Sequence, residues 1–216
     1  MSDHTEERLS ANSHVEEPAI AYGSTAKRYS YADYLNWLDD KTREIINGIV
    51  KLMSPAASTN HAKISLRIAY DIETYIRKRK GKCQVFVAPF DVRLTKNNET
   101  EDDKIFTVVQ PDICVICDLS KIDKKGCLGA PDLVVEIQSP STANYDLKDK
   151  FYAYESAGVK EYWIVSPKEK TVIIFTLRTN GQFDAGNTYY LKDKLHSTIF
   201  EELEIELEEI FKDLIK

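Results

Sequence analysis

Residues 134–142 read VVEIQSPST. Val134, Val135 and Ile137 form a short apolar run ended by Ser139-Pro140, and β-branched residues at that density predict a strand. Side chains alternate along a strand, so Val135 and Ile137 share one face and Glu136 and Gln138 share the other, about 6–7 Å apart. An ionised carboxylate in an apolar run is costly to bury unless something pairs with it. The reading of the fold and of the chemistry therefore turns on what holds Glu136.

The 216-residue chain is 43% hydrophobic and 30% charged, the balance of a globular protein with one well-buried core. Residues 1–26 are polar and unpatterned and predict a mobile tail, with residues 27–216 as one domain. No apolar run approaches membrane-spanning length and the N-terminus lacks a secretory apolar core, so the cytoplasm is the expected compartment. A net charge of −6 argues against strong non-specific grip on nucleic acid. The basic run RKRKGK, residues 77–82, reads as a solvated helix end in preference to a phosphate-binding role. Cys114 and Cys117 make a C-x-x-C, but on a strand residues three apart point to opposite faces. The four cysteines, with Cys83 and Cys127, are therefore expected as buried reduced thiols.

Working outward, Ser30 can cap a short helix in YADYLNWLDD. REIINGIVKLM places Asn47-Gly48 between two apolar arms, a hairpin signal. Ile64, Ile68, Ile72 and Ile76 recur every four residues and predict a helix over 60–80, stopped by Gly81. Strands are expected over 83–94, over 108–119 and in PDLVVEIQ; a helix in YDLKDKFYAYESAG ends at Gly158. EYWIVS, TVIIFTLR, NTYYLK and LHSTIF follow as strands, with Trp163 packed in the core and ELEEIFKDLI as a closing helix. This order predicts an α/β (α+β) fold, a mixed central sheet flanked by helices.

Asp132 shares the face of Glu136, but four residues of strand is about 13 Å, too far to share an ion. Asp112 opens the preceding strand just after Pro111, and if the strands are neighbours they lie about 5 Å apart. Two such carboxylates repel one another, and a hard divalent cation, magnesium or manganese, would cancel the repulsion. Leu147, Phe151 and Tyr154 mark the buried stripe of the following helix; Lys150 lies within it and Lys148 off it, so Lys150 is the lysine that can point inward. A structural Glu136–Lys150 ion pair is the competing reading. Asp146 reads as a helix N-cap and SPST as a turn.

These residues resemble the PD-(D/E)XK nuclease superfamily, and within it the Uma2 family. The resemblance is carried by REIING with Glu44, His61 in NHAKIS, Pro111-Asp112-Ile113, VEIQSPST, Asp146 and Lys150 as D-x-x-x-K, and Tyr154 to Trp163 as Y-x-x-x-G-V-x-E-Y-W, and it runs from about residue 29 to 212. It implies a restriction-endonuclease-like fold and metal-dependent hydrolysis of phosphodiester bonds in DNA, by a homodimer that cuts both strands. By the resemblance, Asp112 and Glu136 are the Mg2+ or Mn2+ ligands and Lys150 is the active-site lysine moved onto a helix. Glu44 adds a carboxylate and His61 a polar group at the rim; from the residues alone, Glu44 reads equally as a solvent-facing hairpin residue and His61 as a locally bonded helix start. Gln138 stands where the superfamily has its usual lysine, and glutamine carries no charge. A non-catalytic nuclease-fold binding module is the alternative function.

Overall fold

A computed structural model describes residues 27–53, 58–95, 99–139 and 146–215. The expectations for the first 26 residues, and for most of the SPST turn, lie outside the described residues.

The elements that frame the site come first. Helix α1 (Tyr31–Leu35) starts at Ser30, whose side chain accepts from the Asp33 N–H while Asp33 answers with a bond from the Ser30 N–H. Strands β1 (Arg43–Ile46) and β2 (Ile49–Leu52) form the expected hairpin. Asn47 and Gly48 sit at φ 51° and 82°, the pair of left-handed conformations that a two-residue hairpin turn requires. Helix α2 (Thr59–Lys78) is capped by Ser58 and buries Ile64, Ile68, Ile72 and Ile76. Its stop differs by one residue from expectation. Lys80 takes the left-handed position at φ 53°, and the Gly81 N–H then reaches back to the Ile76 carbonyl at 2.9 Å. The 77–80 run is exposed, as a solvated helix end should be.

The remaining elements are β3 (Gln84–Val87), β4 (Val92–Arg93), β5 (Val108–Val109), β6 (Ile113–Ile116), β7 (Ile122–Asp123), β8 (Gly126–Leu128) and β9 (Leu133–Ile137). A π-helical turn (Asp146–Lys150) then runs into α3 (Phe151–Ala157), which Gly158 stops at φ 88°. Strands β10 (Glu161–Ser166), β11 (Thr171–Thr176), β12 (Asn187–Tyr189), β13 (Lys194–His196) and β14 (Glu204–Glu206) precede α4 (Leu207–Ile210).

Among the described residues the strands form two six-stranded sheets and one two-stranded ribbon. One sheet has the order β12-β11-β10-β9-β6-β3 and the other β2-β1-β5-β4-β8-β7. In the first, β9 and β10 are parallel and joined through α3, whereas β6 is antiparallel to β9. Val135 and Ile137 pack with the isoleucine stripe of α2 on one side. Val134 and Cys114 face the other side, where Ala153 and Tyr154 of α3 and Ile46, Val92 and Val109 of the second sheet close over them. Glu136 projects into this layer between sheet, sheet and helix. No helix among the described residues is long and apolar enough to cross a membrane.

Several expectations need correction. The strands over 83–94 and 108–119 are each two strands in two different sheets: β3 and β6 belong to the first, β4 and β5 to the second. The breaks fall at Pro89 and Pro111, which have no N–H to give to a ladder, and the chain crosses between sheets there. LHSTIF leaves the strand after His196 because Ser197 and Thr198 turn to bond Glu161. The closing helix is one turn, after which Asp213 adopts φ 53°. Of the cysteines, Cys114 and Cys127 are buried thiols as expected, but Cys83 and Cys117 are joined by a disulfide. Gln84 pairs with Ile116, so Cys83 and Cys117 occupy the next opposed positions of the same antiparallel ladder.

Candidate active site

The ladder between β6 and β9 pairs Ile113 with Val135, which sets Asp112 opposite Glu136 at the end of the two strands. Opposed residues of an antiparallel pair stand about 4.5–5.5 Å apart at Cα. The neighbouring-strand condition for a shared site is met. The two carboxylates are nevertheless held differently.

Glu136 is 4% exposed. Its Oε1 accepts from the Lys150 ammonium at 2.8 Å and from the Tyr154 hydroxyl at 2.6 Å. Lys150 itself is 3% exposed and also bonds Glu44 Oε1 at 2.9 Å. Glu44, on β1, is as deeply buried, and the same oxygen accepts the Gln110 N–H at 2.8 Å. Glu44 is therefore no solvent-facing hairpin residue: the second sheet carries it over the first and brings it to the same ammonium as Glu136. Lys150 reaches this layer because the helical stripe points it inward, while Lys148 is exposed. Burial is the main reason that the Tyr154 hydroxyl titrates far above the usual phenol range, with the Glu136 and Glu44 charges adding to it. Tyr154 thus stays a donor at any physiological pH.

Asp112 is the wetter acid. Its Oδ2 accepts the Ile137 backbone N–H at 2.6 Å and meets His61 Nε2 at 3.0 Å. Both side chains are 17% exposed. His61 gets there because Ser58 caps α2 and accepts the His61 N–H, which fixes the first turn over the end of β6. Gln138 is half-buried next to Ile137, and its N–H continues the ladder to the Val165 carbonyl at 2.8 Å. Asp146 opens the π-helical turn before α3; its side chain lies outside the described residues. Asp132 is elsewhere, bonded to the Cys117 N–H and to Lys160.

Five of the six sequence-derived positions thus gather through named bonds: Glu44, Lys150 and Glu136 as one cluster, His61 and Asp112 as another, linked across the strand pair. Gln138 stands beside them in the chain. Tyr154 was missed as a polar member of the site. Its signal was present, since it lies four residues after Lys150 on the same helix face and a buried hydroxyl needs a partner. A further network flanks Glu44: Gln110 Nε2 donates to Asp91 Oδ1 at 2.8 Å, and Tyr31 and Tyr34 donate to the same carboxylate. Burial first, and Asp91 next, push the Tyr34 hydroxyl up to about 12. Asp112 and Glu136 are the hard oxygen donors that could hold a divalent cation. Among the described residues, no three His, Cys, Asp or Glu side chains converge as a ready-made metal cage.

Residues 31–208 match the family Uma2, described as "putative restriction endonuclease". The chain is 26% identical over 182 residues to the uncharacterized protein slr1290 of Synechocystis, covering 82% of this chain and 89% of the relative. It superposes with a TM-score of 0.63 on the crystal structure of a putative nuclease belonging to DUF820 from Anabaena variabilis. That match spans 85% of this chain and 97% of the other at 18% identity, a likeness of fold.

Proposed function

The chain belongs to the Uma2 family, and from that premise we propose that it is a divalent-metal-dependent endonuclease that hydrolyses phosphodiester bonds in DNA. The observation that carries the reading is the pairing of Asp112 with Glu136 across β6 and β9, beside a buried lysine. The donor chemistry fits a hard cation. Magnesium is commonly held by one or two carboxylates, with waters and substrate phosphate completing its shell, so two opposed acids suffice without a three-ligand cage. When bound there, Mg2+ or Mn2+ supplies a Lewis acid that lowers the pKa of water and offsets charge on the phosphodiester.

The chain's own groups have separable tasks in this reading. Asp112 and Glu136 hold the cation. Lys150 and Tyr154 fix the Glu136 carboxylate, and the Lys150 charge opposes the negative charge that grows on the phosphoryl oxygens. Asp112 orients His61 at the more exposed rim, where the imidazole can hold or release a proton. Gln138 leaves the sheet uncharged at the usual lysine position, so Lys150 is the cation that serves. Two copies would be needed to cut both strands together; the exposed Leu66 and Tyr70, four apart on α2, offer an apolar stripe for such a pairing. The test is nicking of supercoiled plasmid with magnesium. Wild type should relax the plasmid, and Asp112→Ala and Glu136→Ala should lose activity by about a hundredfold or more. Identical traces for all three at high enzyme would reject catalysis.

One observation favours a second reading. Lys150 is already bonded to both Glu44 and Glu136, which is also how a structural ion pair would look. In that case the fold serves as a nucleic-acid or protein-binding module without metal.

A further inference from the structure

Helix α2 is joined to the sheet at both of its ends. At its start, His61 meets Asp112 at the head of β6. Past its far end, beyond Gly81 and Lys82, Cys83 is bonded to Cys117 at the tail of β6. Between these points the isoleucines of α2 lie on Ile113 and Val115. Strand β3 is the last strand of its sheet and pairs there with β6. The disulfide therefore closes one end of the β3–β6 ladder, and the Ala88 N–H bond to the Asp112 carbonyl closes the other.

The four cysteines divide into two kinds. Cys114 and Cys127 are buried. Burial is the first cause that pushes the Cys114 thiol well above its usual range and the Cys127 thiol up to about 12, so both stay protonated and unreactive. Cys83 and Cys117 are only partly buried, at a sheet edge that a small thiol can approach.

We propose that Cys83 and Cys117 are a reversible thiol–disulfide latch, which locks β3 and the C-terminal end of α2 onto β6 when oxidised and releases them when reduced. The co-reactant is a low-molecular-weight thiol of the glutathione class. Its thiolate attacks one sulfur of the bond, giving a mixed disulfide and one protein thiolate. A second small thiolate attacks the small-molecule sulfur of that mixed disulfide. The second protein cysteine leaves as thiolate, both protein thiolates take up protons, and the two electrons come from two small thiols that end as one disulfide. The reverse sequence re-forms the latch. None of this needs the nuclease reading to hold.

The test uses the full-length protein equilibrated in glutathione buffers from fully oxidised to fully reduced. Maleimide labelling read by intact mass, with peptide mapping, reports the state of each cysteine. The expected result is a reversible transition in which Cys83 and Cys117 together gain two labels on reduction while Cys114 and Cys127 stay unlabelled in the native state. The melting temperature should fall by roughly 5–15 °C on reduction, as expected for opening a loop of this length. Amide exchange should rise in 82–87 first. The Cys83→Ser/Cys117→Ser double variant should melt like reduced wild type and ignore the buffer. The proposal is overturned if the two cysteines label fully in oxidised glutathione. It is equally overturned if the pair resists reduction throughout, or if the double variant melts with oxidised wild type.

Discussion

Two glutamates lie buried on the neighbouring parallel strands β9 and β10, and they are held in opposite ways. Glu161 is fully buried, and among the described residues its donors are all neutral: Trp163 Nε1 at 2.9 Å, Ser197 Oγ at 3.0 Å, and the Thr198 hydroxyl and N–H. Those donors come from its own strand and from the segment after β13, so Glu161 pins the C-terminal part of the chain to the sheet. Glu136 instead shares its oxygen between an ammonium and a phenol, with a second carboxylate on the same ammonium and Asp112 across the ladder. A carboxylate surrounded by neutral donors has nothing to exchange. One surrounded by titratable groups holds negative charge that a proton or a cation can answer. The contrast separates a staple from a candidate site.

The largest effect should come from Lys150→Met. It leaves Glu44 and Glu136 buried against each other without a cation, and breaking a buried pair in this way costs about 3–5 kcal/mol. Urea unfolding would measure it, and the loss should shrink if Glu44→Gln is added, because one of the two stranded charges is then removed. Glu161→Gln should cost about 1–3 kcal/mol, since an amide cannot accept from every donor that converges there. It should leave metal binding unchanged, whereas Glu136→Gln should abolish metal binding; if Glu161→Gln also abolished it, the distinction between staple and site would collapse. Tyr154→Phe should cost about 1 kcal/mol at neutral pH, one buried hydrogen bond.

The same tyrosine gives a pH signature. Its folded pKa is raised far above the ordinary value of 10.0, so folded chains keep the proton that unfolded chains lose. Its contribution is intact below about pH 10 and is lost as the pH climbs toward the folded value. Tyr34, raised to about 12, acts in the same direction. Melting temperature against pH should therefore bend downward above about pH 10, less steeply in Tyr154→Phe. A variant curve that parallels wild type would show that Tyr154 is not the group being held neutral.

Much of the frame was legible because it is local. The isoleucine stripe of α2, the Asn47-Gly48 turn, the strand around Glu136 and the inward aim of Lys150 each follow from a periodicity of two or 3.6 residues. What the sequence hid is what a second sheet does. Glu44 looks like a hairpin residue until β1 is laid over β9, and nothing in REIING says which face will be covered. Pro89 and Pro111 sit inside apolar runs that read as single strands, yet each marks a crossing between sheets. The Cys83–Cys117 bond depends on the register of β3 against β6, which periodicity does not supply. Tyr154 was visible as an apolar position and overlooked as a hydroxyl.

Calorimetric titration of the full-length protein with manganese asks whether Asp112 and Glu136 together hold a divalent cation. A cation shared by the two carboxylates gives a saturable heat at one ion per chain that disappears in Asp112→Asn and in Glu136→Gln and survives in Glu161→Gln. A wild-type titration with no heat beyond dilution, or one that Asp112→Asn leaves unchanged, would contradict it.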